Sequence, residues 1–216
     1  MKKTKSEETV KLVGGDSTNP NTGWAGGVLA WLEKFLGRKV FWMICMPYTN
    51  ELPLRHLIEK LDGKTSSKDG FTGPLGKLLP MVNNMTRVYQ AKPIPGLKTL
   101  LDIPDSVVSG MSTDQSIFYQ LGKAARAGKL SKELGAMKCG NLVHSRWVPT
   151  AEAFIFLWFS EHGLQGELLD RLEMIVTFVV QVYHQLYFDI KVSKHIKILF
   201  TSKALLHNSH RRFSTG

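Results

Sequence analysis

The stretch TVKLVGGDSTNPNTGWAGGVLAWLEKFLGRKVFWMIC, residues 9–45, decides the fold of this chain. It begins with a short β-branched segment, residues 9–14, and ends with a continuous apolar run, residues 39–45; both are typical of strands. Between them, apolar residues recur at helical spacing over residues 24–36, and Gly37 follows as a helix-ending residue. This order predicts a parallel βαβ unit, and the uninterrupted second run predicts a strand that is covered on both faces.

The rest of the chain is predicted to be mostly helical. Helices are expected over residues 50–61, from 112 to about 127, over 151–161 and over 167–189. Ser112 and Gln115 have the spacing of a capping box at the start of the second of these. Residues 62–77, which are rich in Gly, Ser, Thr and Lys, are predicted to form a long loop.

Positive charge is the strongest global feature of the 216-residue chain. The formal net charge is +10, and a hydrophobic content of 43% with five Trp and eleven Phe excludes disorder throughout. Residues 191–216 hold six Lys and Arg and no acidic residue, which leaves +4 for the other 190 residues. This tail is predicted either to be a solvated segment or to contact phosphates through Lys191, Lys194 and Lys197.

The sequence carries no targeting or membrane signal. Residues 1–11 are rich in Lys and Glu without an apolar stretch, so a nuclear or cytoplasmic protein is predicted rather than a secreted one. The longest apolar runs, residues 153–159 and 175–180, are well short of the ~20 residues that span a membrane, and no membrane partner is expected. Two Cys exclude a disulfide scaffold and a Cys₄ zinc site.

Two residues at the ends of the predicted strands are candidates for chemistry. Asp16 lies where a strand meets a polar loop, a place where open α/β sheets bind ligands and where a carboxylate suits Mg²⁺. The same segment has the composition of an Asx turn. Cys45 ends the second strand and is either a nucleophile or a small buried hydrophobe. Spacing alone leaves both interpretations of each residue open.

Arg146 and Trp147 form a third candidate, directly before a predicted helix. A guanidinium pairs with phosphate and an indole stacks on a base, which together suit a nucleic acid. The alternative is an Arg salt bridge beside a Trp that is packed on the core.

An ordered series of short motifs runs through the chain. It comprises DSTNPNTGW (16–24), WMICMPY (42–48), NELPLRH (50–56), LDGKT (61–65), STDQ (112–115) and HSRW (144–147). In order and spacing, the series resembles the core of hAT-like transposases and related transposon-derived proteins over roughly residues 10–190. The resemblance implies an RNase H-like fold with a helical insertion, and two-metal phosphoryl transfer by a D-D-E set of carboxylates.

The resemblance also implies roles for single residues. Asp16 matches the second acidic residue of the set and is the implied Mg²⁺ ligand. Cys45 matches the Cys of a C-x-x-H motif in which Tyr48 replaces the His. Arg146 and Trp147 match an R-W motif inside the helical insertion.

The predicted fold class is accordingly α-rich α/β, with a partial RNase H-like βαβ sheet followed by a mostly helical insertion region. The expected organisation is a disordered N-terminus (1–8), the partial RNase H-like region (9–77), the helical region (78–190) and a basic, disordered tail (191–216).

The acidic set is incomplete in this sequence. Only fifteen residues precede Asp16, too few for the opening strands with the first Asp, and no acidic residue follows Asp189, where the final Glu is expected. One carboxylate cannot hold two metal ions. The expected protein is therefore a truncated or domesticated transposable-element product that is not an enzyme and has no cofactor, since Mg²⁺ belongs only to a complete core.

The expected partner is DNA, bound weakly and without sequence specificity. One alternative is a protein-interaction module without nucleic-acid affinity, which forms oligomers through a sheet edge that the missing strands leave open. The other is part of an active Mg²⁺-dependent DNA transposase.

Overall fold

The structure is a computed structural model, and it describes residues 9–15, 18–44, 46–66, 68, 70–96, 103–143 and 147–192. Within these ranges, the side chains of residues 44, 46–50 and 190–192 are not described. The described chain is mixed α/β, consists mostly of helices and contains small two-stranded sheets. It divides into two compact units, Met1–Pro53 and Leu54–Gly216.

The first unit contains a short parallel sheet and the helices that connect its strands. In chain order, the elements are β1 (Leu12–Gly15), α1 (Asn19–Thr22), α2 (Val28–Leu36) and β2 (Phe41–Ile44). The next helix, α3 (Met46–Asp62), contains the boundary between the units and has Pro53 inside it.

The second unit contains a short hairpin and a group of packed helices. The hairpin consists of β3 (Thr65–Ser66) and β4 (Gly70–Phe71) and is followed by a 3₁₀ helix (Gly76–Asn84). The later elements are α4 (Asp105–Val108), α5 (Thr113–Ala127), α6 (Lys132–Ala136), α7 (Trp147–Trp158), α8 (Glu167–Phe178), a π-helical segment (Val179–Tyr183) and α9 (His184–Val192).

The predicted parallel strand pairing is confirmed. β1 and β2 pair in parallel register from Leu12 opposite Phe41 to Gly15 opposite Ile44. α2 ends where predicted, because Gly37 adopts the left-handed conformation (φ +69°) and its N–H bonds to the Glu33 carbonyl.

The expected burial of the second strand on both faces is wrong. The side chain of Phe41 is 71% exposed, and those of Trp42 and Met43 are only half-buried. An apolar run marks a strand by its composition, but the coverage of its faces depends on which elements pack against it. The segment between β1 and α2, which is predicted to be a polar loop, contains the one-turn helix α1. Pro20 lies in the first turn of this helix.

The core of the second unit is built around α7. Eleven of the twelve residues of this helix are buried, and it packs against α5, α8 and the 3₁₀ helix. Arg87 lies against this core: its guanidinium donates to the Val82 carbonyl and to Ser160 Oγ, both at 2.7 Å, and stands 4.4 Å above the Phe156 ring.

The predicted start of α7 at residue 151 is too late, because Pro149 fits the first helical turn.

The capping box that opens α5 is confirmed. The backbone N–H of Gln115 donates to Ser112 Oγ, and the backbone N–H of Ser112 donates to Gln115 Oε1. The helix ends at the predicted Gly128, which is left-handed (φ +65°). The helix predicted over residues 167–189 is present as α8 and α9 with the π-helical segment between them.

Several predictions on organisation fall partly outside the described residues. The N-terminus over residues 1–8 and the tail from residue 193 onward lie outside them, whereas Lys191 and Val192 belong to α9. The predicted boundary at residues 77 and 78 follows a change in composition, and the structural division falls earlier, within α3. No helix in the described part of the chain has both the length and the apolarity to cross a membrane.

Candidate nucleic-acid interface

Five of the predicted site residues lie outside the part of the chain that the structure describes: Asp16, Cys45, Arg146, Lys194 and Lys197.

Two further candidates have a described backbone only. Tyr48 lies in α3 and Lys191 lies in α9, and their side chains are not described. The roles that the sequence predicts for these residues therefore stay predictions.

Trp147 is the one predicted site residue whose side chain is described. It is the first residue of α7 and only 4% exposed. Its ring meets that of Phe71 edge to face, with the centroids 6.2 Å apart and the planes at 81°. An indole in this position has no open face for a base, so the core-packing alternative describes Trp147 and the stacking role does not.

The partner of Trp147 belongs to a hairpin that the sequence predicted as a loop. Thr65 pairs with Phe71 and Ser66 with Gly70 in antiparallel register. Gly70 has φ +63°, a conformation that favours glycine and lets the chain reverse within a few residues. Phe71 therefore anchors the hairpin on the core through its contact with Trp147.

Asp62 fixes the base of this hairpin. Its carboxylate is 5% exposed and accepts hydrogen bonds from the backbone N–H groups of Leu75 (2.8 Å) and Gly76 (2.6 Å) at the start of the 3₁₀ helix. Gly73 permits this approach, because a Cβ there would lie 1.5 Å from the Asp62 carbonyl oxygen. The two N–H groups are thus already bonded to a carboxylate of the chain, so they do not serve an external phosphate.

Opposing effects act on the Asp62 carboxyl. Burial raises its pKa, while the hydrogen bonds from Leu75 and Gly76 and the positive charges of Arg171 and Lys77 act in the other direction. The net direction is upward. The Asp62 carboxylate therefore accepts hydrogen bonds inside the fold, and it does not add negative charge to the outer surface of the hairpin.

Four lysines lie within or close to the hairpin along the chain, and all are exposed. Lys60 lies in the last turn of α3, Lys64 directly precedes β3, Lys68 lies between the strands and Lys77 is the second residue of the 3₁₀ helix. In the described part of the chain, no salt bridge engages any of them. We call these residues the hairpin lysines.

Two acidic residues near the hairpin are described, and both are engaged within the fold. Asp62 is buried, and Glu59 accepts from Arg55 Nε at 3.0 Å, which lowers the pKa of Glu59 against the opposing effect of burial. Asp69, next to Lys68 in the sequence, lies outside the described residues. Exposed ammonium groups on long stems act as mobile point charges, which suits contact with phosphates rather than with base edges.

A groove elsewhere in the second unit has a different character. It has a volume of about 660 Å³ and an apolar lining that includes Leu57 and Phe178. Its rim holds Lys92 and Glu173, joined at 2.5 Å, together with Asp170. The acidic groups outnumber the lysine, so this groove is less suited to a polyanion than the hairpin.

The described residues contain no arrangement of three or more His, Cys, Asp or Glu side chains that could hold a metal ion. The second cysteine, Cys139, is buried, and burial raises its pKa to about 11. Its thiol lies 3.3 Å from Asn83 Oδ1. At neutral pH this side chain is a protonated core group rather than a nucleophile.

Comparisons of the chain with protein-family models, with curated proteins and with solved structures found no match. The likeness to hAT-like transposases consequently depends on the order and spacing of the motifs in the sequence.

Sequence reasoning missed the hairpin lysines as a group. The densest run of positive charge in the sequence is the C-terminal tail, and the composition of residues 62–77 predicts a loop. The usable signal was four lysines within residues 60–77 among Gly, Ser and Thr, a composition that allows a tight reversal with basic side chains outside.

Proposed function

We propose that this chain is a nucleic-acid-binding protein derived from a hAT-like transposase, that it contacts phosphates with the hairpin lysines, and that it does not carry out strand transfer. The observation that carries the proposal is the exposure of all four hairpin lysines, which lie within or next in sequence to a hairpin that Phe71 and Asp62 attach to the core. Several exposed ammonium groups within a short stretch of chain can bind to one polyanion together.

The proposed binding is weak and without sequence preference. Lysine ammonium groups neutralise phosphates and release counterions, and this contribution is the same for every sequence. Each strand of the hairpin has two residues, Thr65–Ser66 and Gly70–Phe71, which is short for a ribbon that reads base edges along a groove. Trp147 is buried and supplies no stacking surface.

The proposed ancestry concerns the first unit. The parallel pair β1 and β2, with α2 between the strands, agrees with a part of an RNase H-like sheet. Asp16 directly follows β1 in the sequence, at the carboxyl end where such a sheet would place an acidic residue. Two-metal chemistry needs several converging carboxylates, and Asp16 is the one that the resemblance assigns within this sequence. The function proposed for this stretch of chain is therefore binding.

A salt titration of DNA binding tests the proposal. Fluorescence anisotropy with a short labelled duplex should show affinity that falls steeply with salt and changes little when the sequence is scrambled. In the Lys64→Glu/Lys68→Glu variant, the slope of log affinity against log salt should become shallower by about 0.9 for each phosphate that is no longer neutralised.

The matched control is Lys132→Glu/Lys138→Glu, which changes the net charge equally at exposed lysines of and near α6. This variant should retain most of the wild-type slope of log affinity against log salt, because the proposal gives Lys132 and Lys138 no direct contact with phosphates and distant charges are screened. Equal reductions in the two variants would show a general charge effect and contradict the assignment to the hairpin. Mg²⁺-dependent DNA cleavage that Asp16→Ala abolishes would overturn the non-catalytic part of the proposal.

A further inference from the structure

Two helices of the second unit lie side by side next to the hairpin. Leu57 of α3 lines the same groove as Met174 and Phe178 of α8, so the two helices are neighbours there. Asp62, which fixes the base of the hairpin, lies five residues after Leu57 at the end of α3. Arg171 lies three residues before Met174, in the second turn of α8. This arrangement allows the end of α3 to reach the start of α8.

The charge of Arg171 acts at the base of the hairpin. Burial raises the pKa of the Asp62 carboxyl, and Arg171 acts on it in the opposite direction. The effect of Arg171 is larger than that of Lys77, although Lys77 directly follows Gly76, whose N–H donates to this carboxylate at 2.6 Å. Arg171, from a distant part of the sequence, therefore adds positive charge to the base of the hairpin as a hairpin lysine does.

A carboxylate on the surface holds the Arg171 guanidinium. Arg171 Nη2 donates to Glu167 Oε1 at 2.5 Å, one turn earlier in α8. The side chain of Glu167 is 79% exposed and that of Arg171 is 32% exposed, so solvent reaches both partners. An exposed ion pair between residues i and i+4 of a helix contributes little to stability. A phosphate can therefore replace the Glu167 carboxylate on Arg171 at a small cost.

We propose that Arg171 is a further phosphate contact of the hairpin site and that Glu167 occupies it in the absence of nucleic acid. This inference rests on the proposed nucleic-acid binding, because the phosphate that displaces Glu167 belongs to a strand that the hairpin lysines hold. A guanidinium is a planar fork that binds two phosphate oxygens at once, whereas an ammonium acts as a point charge. Arg171 thus fixes the position of one phosphate, and Glu167 is an internal competitor that lowers the affinity.

The next carboxylates of α8 lie away from this contact. Asp170 and Glu173 line the groove, and Glu173 is bonded to Lys92 at 2.5 Å. Consecutive residues of a helix point about 100° apart, so Asp170 does not share the face of Arg171. Glu167 does share it, four residues before Arg171, which makes it the carboxylate that a phosphate has to displace.

Fluorescence anisotropy of the full chain with a short labelled duplex tests the competition. Glu167→Gln should tighten binding about two- to fivefold, because it frees Arg171 without removing a positive charge. Glu173→Gln is the matched control, since it makes the same charge change in the same helix at a carboxylate that is also bonded to a basic group at 2.5 Å. This control should change the affinity little, because its charge acts only from a distance.

Substitution of Arg171 completes a double-mutant cycle. Arg171→Gln should weaken binding and make the slope of log affinity against log salt shallower by about 0.9, the value for one phosphate. When Arg171→Gln is already present, Glu167→Gln should add no more than Glu173→Gln does, since the competitor has lost the group that it occupies.

Circular dichroism and the thermal transition of each variant show whether it is folded. If Arg171→Gln is unfolded, Arg171→Lys replaces it, because this substitution keeps a positive charge near Asp62. Arg171→Lys should weaken binding at an unchanged salt slope, since the charge remains and the bidentate contact is lost. An affinity equal to that of wild type would contradict the role of the guanidinium.

Failure of this inference and failure of the proposed function give different results. A wild-type chain that binds no DNA, or whose salt slope is unchanged in Lys64→Glu/Lys68→Glu, contradicts the proposed function. A chain that binds through the hairpin lysines and keeps its wild-type slope in folded Arg171→Gln overturns only the role of Arg171. Equal gains in affinity in Glu167→Gln and Glu173→Gln would show an effect of net charge and overturn the competition.

Discussion

Helices α2 and α7 have similar composition and opposite surroundings. The sequences VLAWLEKFL in α2 and WVPTAEAFIFLW in α7 are both rich in large apolar residues. In α7 eleven of twelve residues are buried, whereas in α2 only Leu36 is. The difference shows that the burial of an apolar helix depends on how many elements surround it. α7 has neighbours on several sides, and α2 is covered on one side within its unit.

Substitution of one Phe in each helix should give the largest contrast. Phe156→Ala should lower the free energy of unfolding by about 3–5 kcal/mol, because it removes a fully buried ring and the surface on which the Arg87 guanidinium lies. Phe35→Ala should change it by less than about 0.5 kcal/mol, because this side chain is 61% exposed. Urea denaturation measures both values, and similar decreases would contradict the comparison.

The pH dependence of stability tests the burial of a titratable side chain in the second unit. His184, at the start of α9, is enclosed by Phe118, Tyr119 and Phe188, and burial lowers its pKa from 6.5 to about 4. The hydrogen bond with the Tyr119 carbonyl opposes this shift only in part, and the positive charge of Arg126 adds to it.

The direction of the pH effect follows from this lowered pKa. Between pH 6.5 and 4 the unfolded chain binds a proton that the folded chain does not, so acid favours unfolding. Stability should be fully present above pH 6.5 and fall by about 3 kcal/mol by pH 4. Urea denaturation across this range measures the decrease, and His184→Phe should flatten it. An unchanged profile in that variant would assign the pH dependence to other groups.

Removal of the capping box at the start of α5 should lower the free energy of unfolding less than Phe156→Ala does. Ser112 closes a reciprocal capping box with Gln115, whereas α2 begins at Gly27 without a side-chain cap. Ser112→Ala should cost about 1 kcal/mol, since it leaves one N–H of the first turn without its acceptor. Thermal unfolding checks the value. Ser109→Ala, at an exposed hydroxyl outside the box, is the control and should change little.

The elements that could be predicted are those with local causes. Three of these signals lie within short stretches of the chain. They are the spacing of Ser112 and Gln115, the glycines that end α2 and α5, and the order of strand, helix and strand in the first unit. The hairpin at residues 65–71 could not be predicted in the same way, because two residues per strand are too few for a periodic signal. It is held by distant contacts, from Phe71 to Trp147 and from Asp62 to the start of the 3₁₀ helix.

The candidate site shows the same division. The sequence predicts a basic protein and makes Trp147 a candidate site residue. The position of Trp147 beside Arg146 leaves open whether its ring stacks on a base or packs in the core. Only the packing of the hairpin against α7 decides that it is buried and that nearby lysines are exposed.

By itself, the sequence determined the parallel βαβ unit, the positions and ends of most helices, and the excess of positive charge. These properties come from backbone preferences and residue composition, which act over short distances along the chain. The tertiary structure alone decided that the helix at residues 28–36 keeps an exposed aromatic face while the helix at residues 147–158 buries almost all of its surface. The hydrophobic effect rewards burial of either helix, and the elements that lie nearby in space determine which of them achieves it.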